Sequence, residues 1–426
     1  MAVAKRVNGV ILCRAGLKRI QRVAIALVLG VPTPLSFAGV LEVTAVFKPD
    51  PANPMVNKFV NTSPNLGHCL WQPAFCETWG LASLLSPLSF SANGPIAADN
   101  EMRQGAMFRV PSQFRSVQVT HVRTGEQQTL DMRIGGLGGW HELGGNVSQM
   151  TGTGGAAGHN LMWRGGWWAR DALPCRQTSG TQTVTSTGSS YFWRIPEGDG
   201  TCVKQALFRV PNLRYTSLYL GYELRTPNPL SMSSGDYVGS LTYTVGPGMD
   251  FDMGDVMMPN DNVLTFNFTL SVEHDLKVEV PPGGNRIELV PQGGWQAWLN
   301  QGRKPARLFR DQTFNISASS RFKMQLECER VMGNTCALRN ADGHQVPLDI
   351  SVSLPYGLNR PDGSAVNRQP LLLSGAGTEL FQPGYYVNRR PGTLHFEVAK
   401  EHADSMLAQG GSTYSGQATV IWDSDL

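Results

Sequence analysis

Apolar and polar residues alternate along most of this chain, and this pattern restricts its fold more than any other feature. Residues 264–272 show it most clearly, because Leu264, Phe266, Phe268 and Leu270 are each separated by one polar residue. The same period recurs at Leu218, Leu220, Tyr222 and Leu224, at Phe322, Met324, Leu326 and Cys328, at Leu348, Ile350, Val352 and Leu354, and at Leu394, Phe396 and Val398. Strict alternation of this kind predicts strands with one buried face.

Turn signals separate these runs, such as Pro-Pro-Gly-Gly at 281–284 and Arg-Pro-Gly at 390–392. Helical periodicity is scarce, and residues 398–409 are the best short helix candidate. Hydrophobic residues make up 41% of the chain, which is enough to exclude wholesale disorder. Many short strands joined by Gly/Pro turns predict an all-β fold of β-sandwiches.

The N-terminal segment, residues 1–38, has the order of a signal peptide. Six basic residues and no acidic residue fall in this segment, an uncharged apolar run covers 23–31, and Ser-Phe-Ala precedes Gly39. A basic region, a short apolar region and a small-x-small site predict export and cleavage. The run is shorter than the ~20 apolar residues that span a bilayer. We therefore expect residues 1–38 to be a signal peptide and the rest of the chain to be exported.

Removal of this segment changes both the charge and the cysteine count. The whole chain has 36 Lys+Arg and 33 Asp+Glu, a formal +3, so loss of six basic residues leaves a formal −3. A mildly acidic protein is not expected to bind nucleic acid. Cys13 is lost as well, and the six remaining cysteines suggest three disulfides with fifteen possible connectivities. Sequence proximity favours Cys69–Cys76, Cys175–Cys202 and Cys328–Cys336.

An internal repeat predicts the domain organisation. Residues 237–245 and 414–422 both read Tyr-x-Gly-x-apolar-Thr, and each copy follows a small polar stretch. The second copy ends the chain, so the first is expected to end a domain near residue 250, with a solvated linker at 249–255. This predicts two tandem Ig-like sandwiches at 39–255 and 262–426.

With a signal peptide, two such domains and a terminal Tyr-x-Gly-x-x-Thr-Val strand, the chain resembles the tip adhesins of chaperone–usher fimbriae. The class 5 (alpha-type) adhesins are the most similar, including those of colonization factor antigen I fimbriae and the initiators of cable pili. The chain ends Ser-Asp-Leu, unlike subunits of type 1 and P pili, which have a penultimate Tyr. The resemblance implies a non-enzymatic subunit at the fimbrial tip, on the cell surface, that attaches to receptors and initiates pilus assembly.

The resemblance also implies an incomplete second sandwich. Such a pilin domain lacks its last strand, and a partner strand fills the groove by donor-strand complementation. The implied partners are a periplasmic chaperone, an outer-membrane usher and the next subunit, and the chaperone would anchor the carboxylate of Leu426. Candidate groove or chaperone contacts are Leu264, Phe266, Phe268, Leu270, Val420 and Trp422; the alternative is that they belong to a complete core.

The N-terminal strand distinguishes a tip subunit from a shaft subunit. Residues 39–47 have strand character and either donate a strand to another subunit or form the first strand of domain one. We expect the second arrangement, because a subunit that caps a fibre needs no donor strand. A minor or shaft pilin that donates this strand remains the alternative.

Candidate receptor-binding residues lie in two aromatic and basic segments of domain one. Aromatic faces stack on sugar rings and Arg donates to acidic groups, so a host or surface glycan is one possible receptor; the alternative is core packing. The candidates are Trp163, Arg164, Trp167, Trp168, Arg170, Trp193 and Arg194. The Gly-rich runs at 135–139 and 152–155 are expected to be flexible loops. The sequence predicts no cofactor or metal; a secreted carbohydrate-active enzyme is the remaining alternative.

Overall fold

The computed structural model describes residues 5–7, 39–178, 183–198, 200–302 and 304–424. These residues form mostly β-strands with a few short helices, so the predicted all-β fold is confirmed. The predicted signal peptide lies outside the described residues except for 5–7, and Leu426 lies outside them as well. Among the described residues, no helix has the length and apolar character needed to cross a membrane.

The strands up to residue 272 are, in chain order, β1 (Lys5–Val7), β2 (Gly39–Phe47), β3 (Val60–Asn61), β4 (Ala82–Leu85), β5 (Phe90–Ala92), β6 (Ala106–Arg109), β7 (Arg115–His121), β8 (Gln127–Glu142), β9 (Arg176–Gln177), β10 (Gly188–Arg194), β11 (Thr201–Lys204), β12 (Arg214–Arg225), β13 (Gly235–Thr244), β14 (Met257–Pro259) and β15 (Val263–Val272). The later strands are β16 (Leu276–Glu279), β17 (Val290–Pro291), β18 (Leu308–Ala318), β19 (Lys323–Cys328), β20 (Val331–Met332), β21 (Thr335–Arg339), β22 (Gln345–Ser353), β23 (Leu358–Asn359), β24 (Gln369–Pro370), β25 (Gln382–Pro383), β26 (Val387–Val398) and β27 (Ala418–Asp423).

The helices are α1 (His68–Trp71), α2 (Pro73–Trp79), α3 (Val147–Thr151), α4 (Gly155–Met162), α5 (Trp295–Gln301) and α6 (Lys400–Ala408), with 3₁₀ turns at Met102–Gln104 and Pro229–Ser231. The position of α6 confirms the helix expected at 398–409.

The buried apolar residues fall into two large clusters, which we call the first core (between Leu41 and Val272) and the second core (between Val278 and Trp422). The first core lies on a sheet in the order β14, β5, β12, β8, β7, β13, β15, β2 and β3. In this sheet β2 pairs in parallel with β15 along its whole length, and Leu41, Val43, Ala45 and Phe47 are buried. The N-terminal strand thus serves as a strand of the first core, the arrangement expected for a capping subunit.

The strand β15 corrects one interpretation of the sequence. Leu264, Phe266, Phe268 and Leu270 are buried in the first core, where β15 lies between β13 and β2. They therefore do not face a groove of the second core. The strand predicted from the alternation is confirmed, because every second residue of β15 is buried. Its parallel partner β2 lies at the opposite end of the sequence that builds the first core, and no local pattern encodes that pairing.

Residues 249–255 also differ from the solvated linker that the sequence suggested. Phe251 and Met253 are buried in the first core. The Asp252 side chain is fully buried and accepts hydrogen bonds from Arg103, which also pairs with Asp255. Asp250 pairs with Arg115 and accepts a hydrogen bond from the Thr244 amide. These carboxylates are neutralised by Arg, and no group of three metal-ligating side chains occurs among the described residues.

Both copies of the Tyr-x-Gly repeat place a glycine where two strands approach closely. A Cβ on Gly416 would lie 2.6 Å from the carbonyl oxygen of Ala337, and a Cβ on Gly239 would collide with the carbonyl oxygen of Gln118. Only Gly fits such a position without displacing the neighbouring backbone. The glycine of each repeat copy therefore lies against a backbone carbonyl of a neighbouring strand, β7 in the first core and β21 in the second.

The second core is enclosed by a sheet in the order β16, β18, β26, β22, β21 and β20, and by a small sheet in which β27 lies between β1 and β19. Phe314 of β18 and Trp422 of β27 pack edge to face, with ring centroids 5.5 Å apart, across the inside of this core. Cys69–Cys76, Cys175–Cys202 and Cys328–Cys336 are bonded, so the predicted pairing is confirmed.

Candidate functional site

The last strand of the second core has an edge with little strand pairing. On one side β27 pairs with β19 over its full length. On the other side, within the described residues, β1 pairs with it, antiparallel, over residues 420–422. β1 lies within residues 1–38, which the sequence predicts to be a signal peptide, and cleavage of that segment would remove this partner. An open edge presents backbone N–H and C=O groups that accept another strand.

A cleft of about 870 Å³ opens beside this edge. Its apolar wall includes Leu308, Leu348, Leu394 and Phe396 of the large sheet, and Val420 of β27 also lines it. Across the cleft, residues 310–314 of β18 have a strand partner only on the β26 side among the described residues, because β16 and β17 pair with the two ends of β18. The cleft thus lies between β27 and the middle of β18, which do not pair with each other in the described part of the chain, and it exposes the interior of the sandwich.

The groove residues predicted from sequence are placed differently by the structure. Val420 lines the cleft, whereas Trp422 is buried in the second core against Phe314. Leu338 of β21, and Trp295 and Trp298 of α5, also line the cleft, and sequence reasoning missed them. Strand alternation signals Leu394 and Phe396 as buried positions, but it gives no sign that their neighbouring strand is missing.

The candidate receptor-binding tryptophans are mostly core residues. Trp163, Trp168 and Trp193 are at most 1% exposed. They pack with one another and with the buried aromatic residues around them, Phe108, His141, Tyr191 and Tyr215. A buried ring cannot stack on an external sugar, so the interpretation of these three as ligand contacts is wrong for this conformation.

The other candidates are at least partly accessible. Trp167 is half-buried and donates from Nε1 to Ser189. Arg164 is exposed and pairs with Asp99 at 2.8 Å, and Arg170 is exposed. Arg194 lies with its guanidinium carbon 3.4 Å from the centre of the Trp79 ring. Of these, only Arg194 belongs to a larger aromatic surface.

Phe192 and Arg194 point to the outer side of the first sheet, opposite to Trp193. The Phe192 ring lies over glycines of β8 and β12, and a Cβ on Gly136 would come within 2.6 Å of it. The run at 135–139 is therefore part of a strand that accommodates this ring, rather than the flexible loop expected. The second run, at 152–155, connects α3 to α4 as a turn.

The short helices α1 and α2 form a hairpin, closed by Cys69–Cys76, that packs on this outer face. His68 stacks on Phe192 with ring centroids 4.1 Å apart, and Phe75 contacts His68 edge to face. Trp71 is 63% exposed and Trp79 39% exposed. Sequence reasoning missed this surface, although a short apolar segment inside a small disulfide loop has little room to bury its own side chains.

Burial lowers the pKa of His68 to about 4. In the unfolded chain the pKa of His68 has its ordinary value of 6.5, so as the pH falls the unfolded chain takes up this proton before the folded chain does. The contribution of His68 to the stability of the fold is therefore complete above pH 6.5 and is lost as the pH falls toward 4. We expect His68 to account for a loss of about 3 kcal/mol over this range. Burial also lowers the pKa of His141, His159 and His274, which contribute in the same direction.

Urea unfolding at pH 7 and at pH 4 tests this expectation. His68→Phe keeps a flat ring against Phe192 and should reduce the difference in stability between the two pH values. The control Trp71→Phe changes an exposed ring of the same hairpin that carries no titrating group, and it should leave that difference unchanged. An unchanged pH dependence in His68→Phe would show that this ring is not the titrating group.

A Ser–His–Asp chain lies on the outer face of the second sheet. His395 contacts Asp311 at 2.7 Å through Nδ1 and Ser353 at 2.9 Å through Nε2. The Ser353 Oγ atom also accepts the backbone N–H of Arg368 and lies 3.1 Å from the Asn367 amide oxygen. These bonds fix the hydroxyl within a cross-strand network that joins β18, β26 and β22 to the loop before β24.

The structure therefore defines an all-β protein with an apolar cleft beside a strand edge that is paired over three residues, and with a separate aromatic surface. No protein-family model and no curated protein sequence matches the chain. Matching solved structures are CfaE, the adhesive subunit of the CFA/I fimbria of enterotoxigenic Escherichia coli (12% identity, TM-score 0.24, covering 90% of this chain and 92% of that one), and a chaperone–tip adhesin complex of CFA/I fimbriae biogenesis (12%, 0.22, 91% and 97%).

A third matching structure is the CsuC–CsuE chaperone–tip adhesion subunit pre-assembly complex of Acinetobacter baumannii, at 11% identity and a TM-score of 0.20, covering 91% of this chain and 99% of that one. The first two of these structures contain an adhesive subunit or tip adhesin of CFA/I fimbriae, and the third contains a tip adhesion subunit of chaperone–usher Csu pili.

Proposed function

We propose that this chain is the tip subunit of a chaperone–usher fimbria and that it attaches the fibre to a receptor. The observation that carries the proposal is the open edge of β27 beside an apolar cleft of about 870 Å³. An exposed apolar cleft next to an open strand edge favours insertion of an extended segment, because backbone hydrogen bonds and alternate side chains are satisfied together.

A periplasmic chaperone would supply the first strand, and the next subunit would replace it when the chain reaches the outer-membrane usher. β2 is built into the first core and is not available for donation to another subunit. A subunit that accepts a strand and donates none ends a fibre, which supports a tip position over a shaft position and a role in initiating assembly.

We further propose that the two cores are separate domains with the boundary at residues 273–275, between β15 and β16. The first core would be the receptor-binding domain and the second the pilin domain. His274 lies between them: its Nε2 is 2.9 Å from the carbonyl oxygen of Met232 in the first part, and its Nδ1 is 3.1 Å from Ser319 Oγ in the second.

Co-expression with the fimbrial chaperone tests the proposal. The full chain should be recovered from the periplasm as a soluble complex with the chaperone. Leu338→Arg places a charge on the cleft wall and should abolish the complex, whereas Val331→Arg, on the exposed neighbouring strand, should retain it. A chain that is soluble and monomeric without the chaperone, or equal recovery of both variants, would contradict the proposed function.

A further inference from the structure

The outer face of the first sheet carries an aromatic surface with an unpaired positive charge. We call the group Trp79, Arg194 and Phe75 the hairpin patch. The Arg194 guanidinium lies over the Trp79 ring, and the Phe75 ring contacts Trp79 with centroids 6.3 Å apart. The buried rings of His68 and Phe192 lie beneath Phe75 and support it.

The positive charge of Arg194 is not neutralised by a bonded acid among the described residues. Glu223 is the carboxylate whose charge acts on it, but Glu223 is held by Arg133 through two hydrogen bonds. The Arg194 Nε is buried without a hydrogen-bond partner in the described part of the chain. Burial also lowers the pKa of Arg194. A partly buried guanidinium without its own acid is unfavourable in the free protein and is stabilised by an anionic ligand.

The hairpin beside it is unusually apolar for an exposed segment. On the hairpin itself, Leu70, Trp71 and Trp79 are each more than one third exposed, and so are Leu66 and Leu85, which lie just before and after it in the chain. Scattered exposed apolar residues need no explanation, but a concentrated group of them on one hairpin indicates a contact surface. The Cys69–Cys76 bond restricts the hairpin, so the rings are held in place before a ligand arrives.

From this geometry we infer that the hairpin patch binds a carboxylated sugar, such as a sialic acid at the end of a glycan. The carboxylate would accept hydrogen bonds from the Arg194 guanidinium, whose planar fork matches two carboxylate oxygens. The apolar face of the sugar ring would pack against the part of the Trp79 ring that Arg194 leaves exposed. The inference rests on the proposed receptor-binding role of the first core and assigns to it a site and a ligand class.

Titration of the full mature chain with 3′-sialyllactose, lactose and a heparin-derived tetrasaccharide tests the inference, with binding measured by calorimetry. Sialyllactose should bind, and lactose should bind at least about tenfold more weakly, because it lacks the charge-assisted bonds. Arg194→Met keeps the alkyl stem on Trp79 and should reduce sialyllactose affinity about tenfold or more. Arg123→Met removes an exposed Arg in the turn between β7 and β8, outside the patch, and should leave the affinity unchanged.

Trp79→Ala provides a second variant whose exposed position should leave folding intact, and it should also weaken binding. Equal affinity for lactose, an unaltered affinity in Arg194→Met and Trp79→Ala, or binding of the sulfated tetrasaccharide alone would overturn the inference. Failure to bind sialyllactose would overturn it too. Recovery of the complex with the chaperone does not depend on sugar binding. The proposed function can therefore hold even if this inference fails, and the two experiments distinguish the two failures.

Discussion

A strand appended to the C-terminus should raise the melting temperature of the second core by roughly 10 °C or more. The appended segment would follow Leu426 through an Asp-Gly turn and carry alternating valines and threonines. A hairpin turn makes it antiparallel to β27, the direction in which β1 already pairs with that edge. Each apolar side chain that enters the cleft contributes about 1.5–3 kcal/mol, and each 1 kcal/mol raises the melting temperature of a domain this size by about 2–4 °C.

The matched control is the same extension with its sequence shifted by one residue. The shift moves every valine to the opposite face of the strand, so threonines would enter the cleft instead. Calorimetry of the mature chain with each extension measures the difference. Equal melting temperatures for both extensions, or no increase over the chain without one, would mean that the second sandwich is already complete.

Trp168→Ala should destabilise the first core by about 3–5 kcal/mol, the usual effect of removing a large buried ring. Trp168 is fully buried and packs on His141 and Trp163, with ring centroids 4.5 and 4.6 Å away. The control Trp71→Ala removes an exposed ring and should change stability by no more than about 0.5 kcal/mol. Urea denaturation monitored by circular dichroism measures both variants.

This pair of variants also separates a structural role from a binding role. If Trp168 were a ligand platform, Trp168→Ala would lose sugar binding while the unfolding midpoint stayed unchanged. That outcome would contradict the buried position described above. A large loss of stability with Trp168→Ala and none with Trp71→Ala would place the first tryptophan in the core and leave the second on the surface.

The sequence predicted the features that depend on local pattern. Alternation predicted strands such as β15 and β22, short separations predicted the three disulfides, and helical spacing predicted α6. Features that depend on distant contacts were not predicted. The pairing of β15 with β2 joins the first and last strands of the first core, and the fit of Phe192 over Gly136 depends on two adjacent strands.

Burial of the tryptophans was only partly visible in the sequence. Tyr191 and Trp193 share one face of β10, while Phe192 and Arg194 share the other, as the alternation of a strand requires. The sequence therefore contains the division between core and surface in this segment, but it does not say which face is which. An open edge at β27 was expected only from the family resemblance. Alternation identifies the strands that a sequence contains, and it cannot show that a sheet needs a further strand from another chain.

The position of β15 has a mechanical consequence. This strand lies between β13 and β2 and then leads directly into the second core. Tension applied to the second core would pull β15 along its own axis, so that the hydrogen bonds to both neighbours are loaded in shear. Bonds loaded in shear share the force and break together, whereas bonds at a peeled edge break one at a time. We therefore expect the link between the cores to resist a pulling force applied along the chain from one core to the other.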